Sequence, residues 1–299
     1  MKKYSLYHQE LLNGEYQPKV FAYYFKQWRN YQMPFHSHID IEIMYVIEGS
    51  CLIITDNEEL ILKKGDYILL DSEVPHRLIV DEGRPCRMLN VEFSFLEKDG
   101  YFPSIKQLVF ENKILAKFLS LKSPYLVLKD TNEIFYILKN LVFELDKRSQ
   151  EKTMVQLLLA QLLIQIARMA VAEHDKKIEQ NQQNRYVKKV IAYLHENYDC
   201  DLKVNDIAKT VNLHPGYLQR IFKSQMNLTL IEYLMTLRME KAKMLLKDTD
   251  IPIIEICNYV GVNSRQYFSL LFKKYTNKTP LEFRKLTERN IVIDRQTRG

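Results

Sequence analysis

Four side chains in the first third of the chain have types and spacing suited to chemistry. His36, His38 and Glu42 stand in PFHSHIDIEIMYVIEG at the spacing H-x-H-x3-E, and His76 follows in GDYILLDSEVPHRL. Together they offer three nitrogens and one oxygen, a set that suits Zn, Fe, Mn or Ni. Buried in an apolar barrel, the same groups could instead hydrogen-bond a small polar ligand such as a sugar, or satisfy one another. Three readings stay open at this point: a metal-dependent enzyme, a metal held for sensing or structure, and a metal-free effector pocket. Trp28, the only tryptophan, precedes this segment and either stacks on a sugar face or packs in the core.

The elements that must position these groups read as β. Runs such as IEIMYVI, CLIIT, ELIL, YILL, RLIV and RMLNVEFSF lie between residues 36 and 95, separated by the turn signals EGS, DNEE, KKGD, DSEVP and DEGRP. Short antiparallel strands at this spacing predict a small sandwich or barrel. Residues of equal parity share a strand face, so a regular strand would point His36, His38 and Glu42 inward with Met44 and Val46.

From about residue 105 the pattern becomes helical. Segments 105–121, 132–148 and 151–174 carry Leu, Ile and Phe three and four residues apart. Leu158, Leu159, Leu162, Leu163, Ile166 and Ala170 form a broad apolar face, wider than packing on the barrel alone needs, and a twofold homodimer would use the surplus. The window 155–172 is the most apolar of the chain, but Gln156, Gln161, Gln165 and Arg168 interrupt it. A buried or partner-facing helix therefore fits better than a membrane span. The polar run DKKIEQNQQN, 175–184, reads as a linker.

Composition bounds the class. A chain of 299 residues with 46% hydrophobic and 27% charged residues has room for two soluble globular domains. The start shows no apolar leader. The four cysteines (Cys51, Cys86, Cys200, Cys257) are scattered without a CxxC, as expected of reduced thiols in a cytoplasmic protein. Charge is uneven: residues 185–299 hold 20 Lys and Arg against 12 Asp and Glu, while residues 1–184 hold 23 against 25. The last third thus carries the sign needed to approach phosphates.

That third contains a repeat. In 206–234 and 255–284, Ile207, Ala208, Val211 and Leu213 recur as Ile256, Cys257, Val260 and Val262. Tyr217, Leu218, Ile221, Phe222, Asn227, Thr229 and Glu232 recur as Tyr267, Phe268, Leu271, Phe272, Asn277, Thr279 and Glu282. The offset grows from 49 to 50, so the second copy has one extra residue in its turn. A short helix, a tight turn and a longer one-faced helix make a helix-turn-helix. Asn227 and Asn277 fall where the longer helix must stop in a left-handed cap. Thr279-Pro280 reads as an N-cap and first helical residue, and 230–247 is one helix joining the two units. In the first unit Tyr217, Leu218, Ile221 and Phe222 take the core positions, leaving His214, Gly216, Gln219, Arg220 and Lys223 outward. In the second Tyr267, Phe268, Leu271 and Phe272 face in, leaving Asn263, Ser264, Arg265, Gln266, Ser269 and Lys273. Gln219, Arg220, Arg265, Gln266 and Ser269 suit base edges, whereas Lys223, Lys273 and Lys274 suit phosphates.

YLQRIFK, YFSLLFKK and TPLEFR resemble the C-terminal signature of the AraC family of bacterial transcription regulators. The resemblance is strong over 185–286 and looser over 1–175, where H-x-H-x3-E-x6-G and G…P…H are similar to the two cupin motifs. Leu270 stands where that family commonly has arginine, which implies one lost DNA contact. The resemblance implies an α+β chain: a cupin-like barrel or sandwich over 1–104, a helical dimerisation element over 105–174, the linker, an all-α domain with two helix-turn-helix motifs over 185–286, and a frayed tail, 287–299. It further implies a homodimeric, non-enzymatic DNA-binding regulator, an activator meeting RNA polymerase or a repressor. Double-stranded DNA and a small-molecule effector would be its partners, with no cofactor and no membrane. His36, His38, Glu42 and His76 then become effector contacts first and metal ligands second.

Overall fold

A computed structural model describes residues 4–98, 100–147 and 152–286; the expected tail, 287–299, lies outside the described residues. The chain divides into two compact units, 1–176 and 177–299. The first contains α1 (Glu10–Asn13), β1 (Tyr16–Trp28), β2 (Tyr31–Gln32), β3 (Ile41–Glu48), β4 (Ser50–Thr55), β5 (Glu59–Lys63), β6 (Asp66–Leu70), β7 (His76–Val80), β8 (Cys86–Glu97), α2 (Ile105–Glu111), α3 (Lys113–Leu119), β9 (Tyr125–Lys129) and α4 (Glu133–Leu145). Helix α5 (Lys152–Glu196) crosses the boundary. The second unit continues with α6 (Val204–Thr210), α7 (Pro215–Met226), α8 (Leu230–Asp248), α9 (Ile253–Tyr259) and α10 (Arg265–Thr276).

The strands form two antiparallel sheets, β1-β8-β3-β6-β9 and β2-β7-β4-β5. Their facing sides share one apolar core: Met44, Val46, Ile68, Leu70 and Met88 from the first meet Cys51, Ile53, Leu62, Leu78 and Val80 from the second. The other side of the five-stranded sheet, with Ile41, Ile43, Tyr45, Leu89, Val91 and Phe93, packs on the helices through Phe118, Leu138, Leu141, Leu159, Leu163 and Ile166. Burial on both faces explains why β3 reads as a nearly unbroken apolar run rather than an alternating one.

The six expected strands are present, and among the described residues the structure adds three that flank them, β1, the two-residue β2 and β9. Edge strand β1 has a mixed burial pattern, which hides its period. Strand β9 stands within the element expected over 105–174, in the gap between the expected helices 105–121 and 132–148: five residues, Tyr125–Lys129, pair with β6. The helix expected over 105–121 is also two helices, because Asn112 ends α2 and caps α3 with its own side chain. The apolar face of α5 is largely used within unit 1, since Leu159, Leu162, Leu163, Ile166 and Ala170 are all buried in the core beneath the sheet. The same burial accounts for the most apolar window without a membrane, although α5 is long and apolar enough to cross one. Residues 175–184 are helical, not a break. Lys, Glu and Gln are good helix formers, so their polarity marks exposure; residues 174–182 are exposed or half-buried throughout.

In unit 2, Val187, Val190 and Leu194 of α5 pack with α6 and α7 around Leu218, Ile221 and Phe222. A second core holds Ile256, Cys257, Phe268, Leu271 and Phe272. Helix α8 serves both, giving Leu230, Leu234 and Leu237 to the first core and Met239, Ala242 and Leu246 to the second.

Candidate functional site

Glu42 organises a polar centre on the barrel-facing side of β3. It is 2% exposed. Its Oε1 accepts from the Tyr24 hydroxyl at 3.1 Å and from Asn90 Nδ2 at 2.8 Å, while Oε2 lies 3.2 Å from His38 Nε2 and 3.3 Å from His76 Nε2. Strand register brings these groups together: Asn90 of β8 lies opposite Met44 and Tyr24, and Glu92 lies opposite Glu42. His36 and His38 precede β3 rather than belonging to it, so strand parity does not place them. The backbone of His36 instead pairs with that of His76 in both directions, N to O at 3.1 and 2.9 Å. Among the described residues His36, His38 and His76 form one set of possible metal ligands, and His38, Glu42 and Glu92 another; the ligand atoms of each set lie within 4.8 Å of one another.

Electrostatics follows from these contacts. Burial alone would raise the Glu42 carboxyl, but the hydrogen bonds from His38 and Asn90 and the closeness of His76 hold it well below the usual carboxylate range. The hydrogen bond to Glu42 raises His38 against the opposing effect of burial. Burial, then the Glu42 charge, raises both Glu92 and the Tyr24 phenol. The histidine Nδ1 atoms face backbone carbonyls: Pro34 O for His36 at 3.2 Å, Asp40 O for His38 at 2.8 Å, and Val74 O for His76 at 2.9 Å. A carbonyl oxygen only accepts, so each Nδ1 carries the proton. In the protonated ring, which the hydrogen bond to Glu42 favours at His38, Nε2 donates to the carboxylate as well. His76 Nε2 is buried and lacks a well-aligned hydrogen bond despite its closeness to Glu42.

Trp28 does not offer a stacking surface. Tyr31 stacks on it at 4.2 Å and Lys26 Nζ sits 4.0 Å from the ring centre; two groups that close cannot share one ring face. Two cavities of about 690 and 750 Å³ open elsewhere on unit 1 and are lined by none of the five residues expected to hold an effector. Tyr24, Asn90 and Glu92 escaped the sequence reading. The polar pair Asn90 and Glu92, at equal parity within the apolar run RMLNVEFSF, was the available signal; Tyr24 had none.

In unit 2 the two helix-turn-helix copies agree in detail. Leu213 N–H bonds Ala208 O and Val262 N–H bonds Cys257 O, both at 3.0 Å. The turns pass through left-handed Asn212 (φ 54°) and Gly261 (φ 68°). The extra residue of the second copy is Asn263, just before the cap. Asn227 (φ 55°) and Asn277 (φ 59°) end α7 and α10 in the left-handed conformation, as expected. Thr229 with Glu232, and Thr279 with Glu282, form matching reciprocal caps, each threonine N–H donating to the glutamate at 2.8 Å.

Gln219, Arg220, Lys223, Asn263, Arg265, Gln266, Lys273 and Lys274 are all exposed, and Ser269 is half-buried. His214, Gly216 and Ser264 are exposed but tied into caps: His214 Nδ1 accepts from Gly216 N–H at 3.2 Å, and Ser264 Oγ from Tyr267 N–H at 3.3 Å. Tyr267 departs from the expectation that it faces inward, being 53% exposed; Phe268, Leu271 and Phe272 already fill that core.

Helix-turn-helix and cupin domain profiles match residues 207–286 and 29–92 respectively. The Msm operon regulatory protein of Streptococcus mutans is 41% identical over 105 residues, 35% of this chain and 38% of its own length. The melibiose operon regulatory protein of Escherichia coli is 24% identical over 269 residues, 85% of this chain and 84% of its own. The transcriptional regulator YdeC of Bacillus subtilis is 25% identical over 86% of this chain and 88% of its own.

The chain carries a helix-turn-helix domain of the AraC type beside a cupin domain and is similar to AraC-family transcription regulators.

Among solved structures, the C-terminal domain of AraT, a response regulator from Geobacillus stearothermophilus, is 34% identical, with a TM-score of 0.33, over 34% of this chain and 84% of that one. The helix-turn-helix match supports a DNA-binding regulator, and the relatives named above are regulators rather than enzymes. Unit 2 holds its helix-turn-helix match and the exposed basic residues, and unit 1 holds its cupin match and the histidine centre.

Proposed function

We propose that this chain is a cytoplasmic, homodimeric transcription regulator whose DNA binding responds to a small polar effector of the sugar class. The effector would be held at the His36, His38, Glu42 and His76 end of the barrel, and DNA by the outward side chains of α7 and α10. An activator would also contact RNA polymerase. The observation that carries the effector reading is the convergence of imidazole Nε2 atoms beside buried Glu42 and half-buried Glu92. Such a centre offers acceptors and charge to the hydroxyls of a sugar within a largely apolar barrel. Similarity to a melibiose operon regulator along most of the chain supports the sugar class. An effector acts by binding two arrangements of the protein with different affinity.

Thermal unfolding with a panel of mono- and disaccharides tests this. A ligand at a hundred times its dissociation constant adds about 2.7 kcal/mol, and the midpoint should rise by several degrees in the native protein but not in His36→Ala. No shift with any sugar would remove the sugar assignment.

A second reading is supported by the tautomers. With all three Nδ1 atoms donating to carbonyls, a divalent transition metal that displaced any Nε2 proton would find those nitrogens and the Glu42 carboxylate a fitting donor set. His36, His38, His76 and Glu42 would hold it, and it would supply a Lewis-acid anchor for effector oxygens. Metal analysis of the purified protein separates the readings: a stoichiometric metal lost in His76→Ala supports the second, and none the first.

A further inference from the structure

We infer that Leu270 is a base-reading residue that recognises a thymine methyl group, so that the two helix-turn-helix units read chemically different half-sites. This rests on the DNA-binding reading above. At the repeat offset of 50, Leu270 of α10 corresponds to Arg220 of α7. Both lie on the face away from the core, which in α10 is Phe268, Leu271 and Phe272. Leu270 is 71% exposed. Exposed Gln266 and Lys273 flank it at the four- and three-residue spacings of one helix surface. The second helix of such a unit lies in the major groove with its N-terminal part at the base edges, and Leu270 is the sixth residue of α10.

An isolated exposed leucine is common and by itself unremarkable. Its position gives it meaning, because the core beneath is already filled without it. The major groove presents one apolar group, the C5 methyl of thymine. A leucine side chain in that groove gains by covering this methyl and gains nothing beside the amino or carbonyl edges of the other bases. Arg220, with its guanidinium carbon 5.2 Å from the centre of the Tyr217 ring, instead offers the paired donors that guanine O6 and N7 accept. The substitution that looks like a missing contact is thus a change of letter. The first unit is built for a guanine at this step and the second for a thymine.

The test uses the full chain and duplexes it selects from a random-sequence pool. Each thymine of the selected site is replaced in turn by deoxyuridine, which lacks only the methyl. Binding of the native protein should weaken about fourfold at one or two thymines, the worth of covering roughly one methyl group. Leu270→Ala should bind the thymine duplex correspondingly less well, show no further loss with deoxyuridine, and unfold at the native temperature. Leu270→Arg should shift selection at that step from thymine towards guanine. The inference is overturned if no deoxyuridine substitution weakens binding, or if the loss persists unchanged in Leu270→Ala. Selection of a defined site without a methyl effect sinks this inference alone; failure to select any sequence sinks the DNA-binding reading with it.

Discussion

Glu42 in the cupin unit and Gln266 in the helix-turn-helix unit are both polar residues proposed to meet a ligand, and the fold treats them in opposite ways. Glu42 is buried, with four groups from three strands and a loop on its two oxygens. Gln266 is exposed at the start of α10, and the core below it is complete without it. The polar centre of unit 1 is therefore tied to the stability of that unit whatever it binds. The outward face of unit 2 is left free for a partner, so there the two roles separate. Substitutions should sort the same way: unit 1 variants move unfolding, and outward unit 2 variants move binding only.

The largest effect is expected at Glu42. Replacement by Ala strands Asn90, Tyr24 and two histidines, and losing one partner of a buried charged network costs roughly 3–5 kcal/mol. Denaturant unfolding measures this, and a loss below about 1 kcal/mol would show that the centre is not coupled to the fold. The same group gives a pH dependence. Its folded carboxyl sits below its ordinary value, so its stabilising share is present above that value and lost as pH falls through the lowered one. The stability gap between native protein and Glu42→Gln, followed in chelator-treated samples, should close on acidification. A gap independent of pH would contradict the ionised centre.

The next largest effect is expected at Gly261, in the turn of the second repeat. Its φ is 68°, and a Cβ there would meet Asp199 O at 2.5 Å and Arg238 Nη2 at 2.9 Å. Buried Arg238 itself bonds Tyr198 O and Cys200 O. Gly261→Ala should cost about 2–3 kcal/mol, combining left-handed strain with displaced neighbours. Asn212→Ala, at the matching turn, should cost only about 1 kcal/mol of strain. Equal losses would mean the two turns are packed alike. The smallest effect on stability is expected at Arg265, whose replacement by Ala should change unfolding by under about 0.5 kcal/mol. Its effect on DNA affinity should be far larger.

The DNA-binding unit was the more legible in sequence. Its repeat carried its own register, so Ala208 with Cys257, Asn227 with Asn277, and Thr229 with Thr279 could be read against one another. The repeat register alone would place Tyr267 like its half-buried partner Tyr217, yet Tyr267 is exposed. In unit 1 the strands between turn signals were plain, but β1 and β9 were not. One is an edge strand with mixed burial, and the other is five residues in a helical neighbourhood. The chemistry of H-x-H-x3-E was visible at once. What completes it was not, since Tyr24, Asn90 and Glu92 reach Glu42 only through strand pairing between distant segments. Leucine and isoleucine periodicity exposed an apolar face on α5 but could not say that the sheet of its own unit covers it.

The role proposed for the exposed side chains of α7 and α10 is to read DNA without supporting the fold. Its most direct test is an affinity titration of a selected duplex with native protein and Arg265→Ala, beside their unfolding midpoints. A base contact of this kind is worth about 1–3 kcal/mol, so Arg265→Ala should bind at least several-fold more weakly while unfolding at the native temperature. Unchanged affinity, or a loss of binding matched by a loss of stability, would contradict the account.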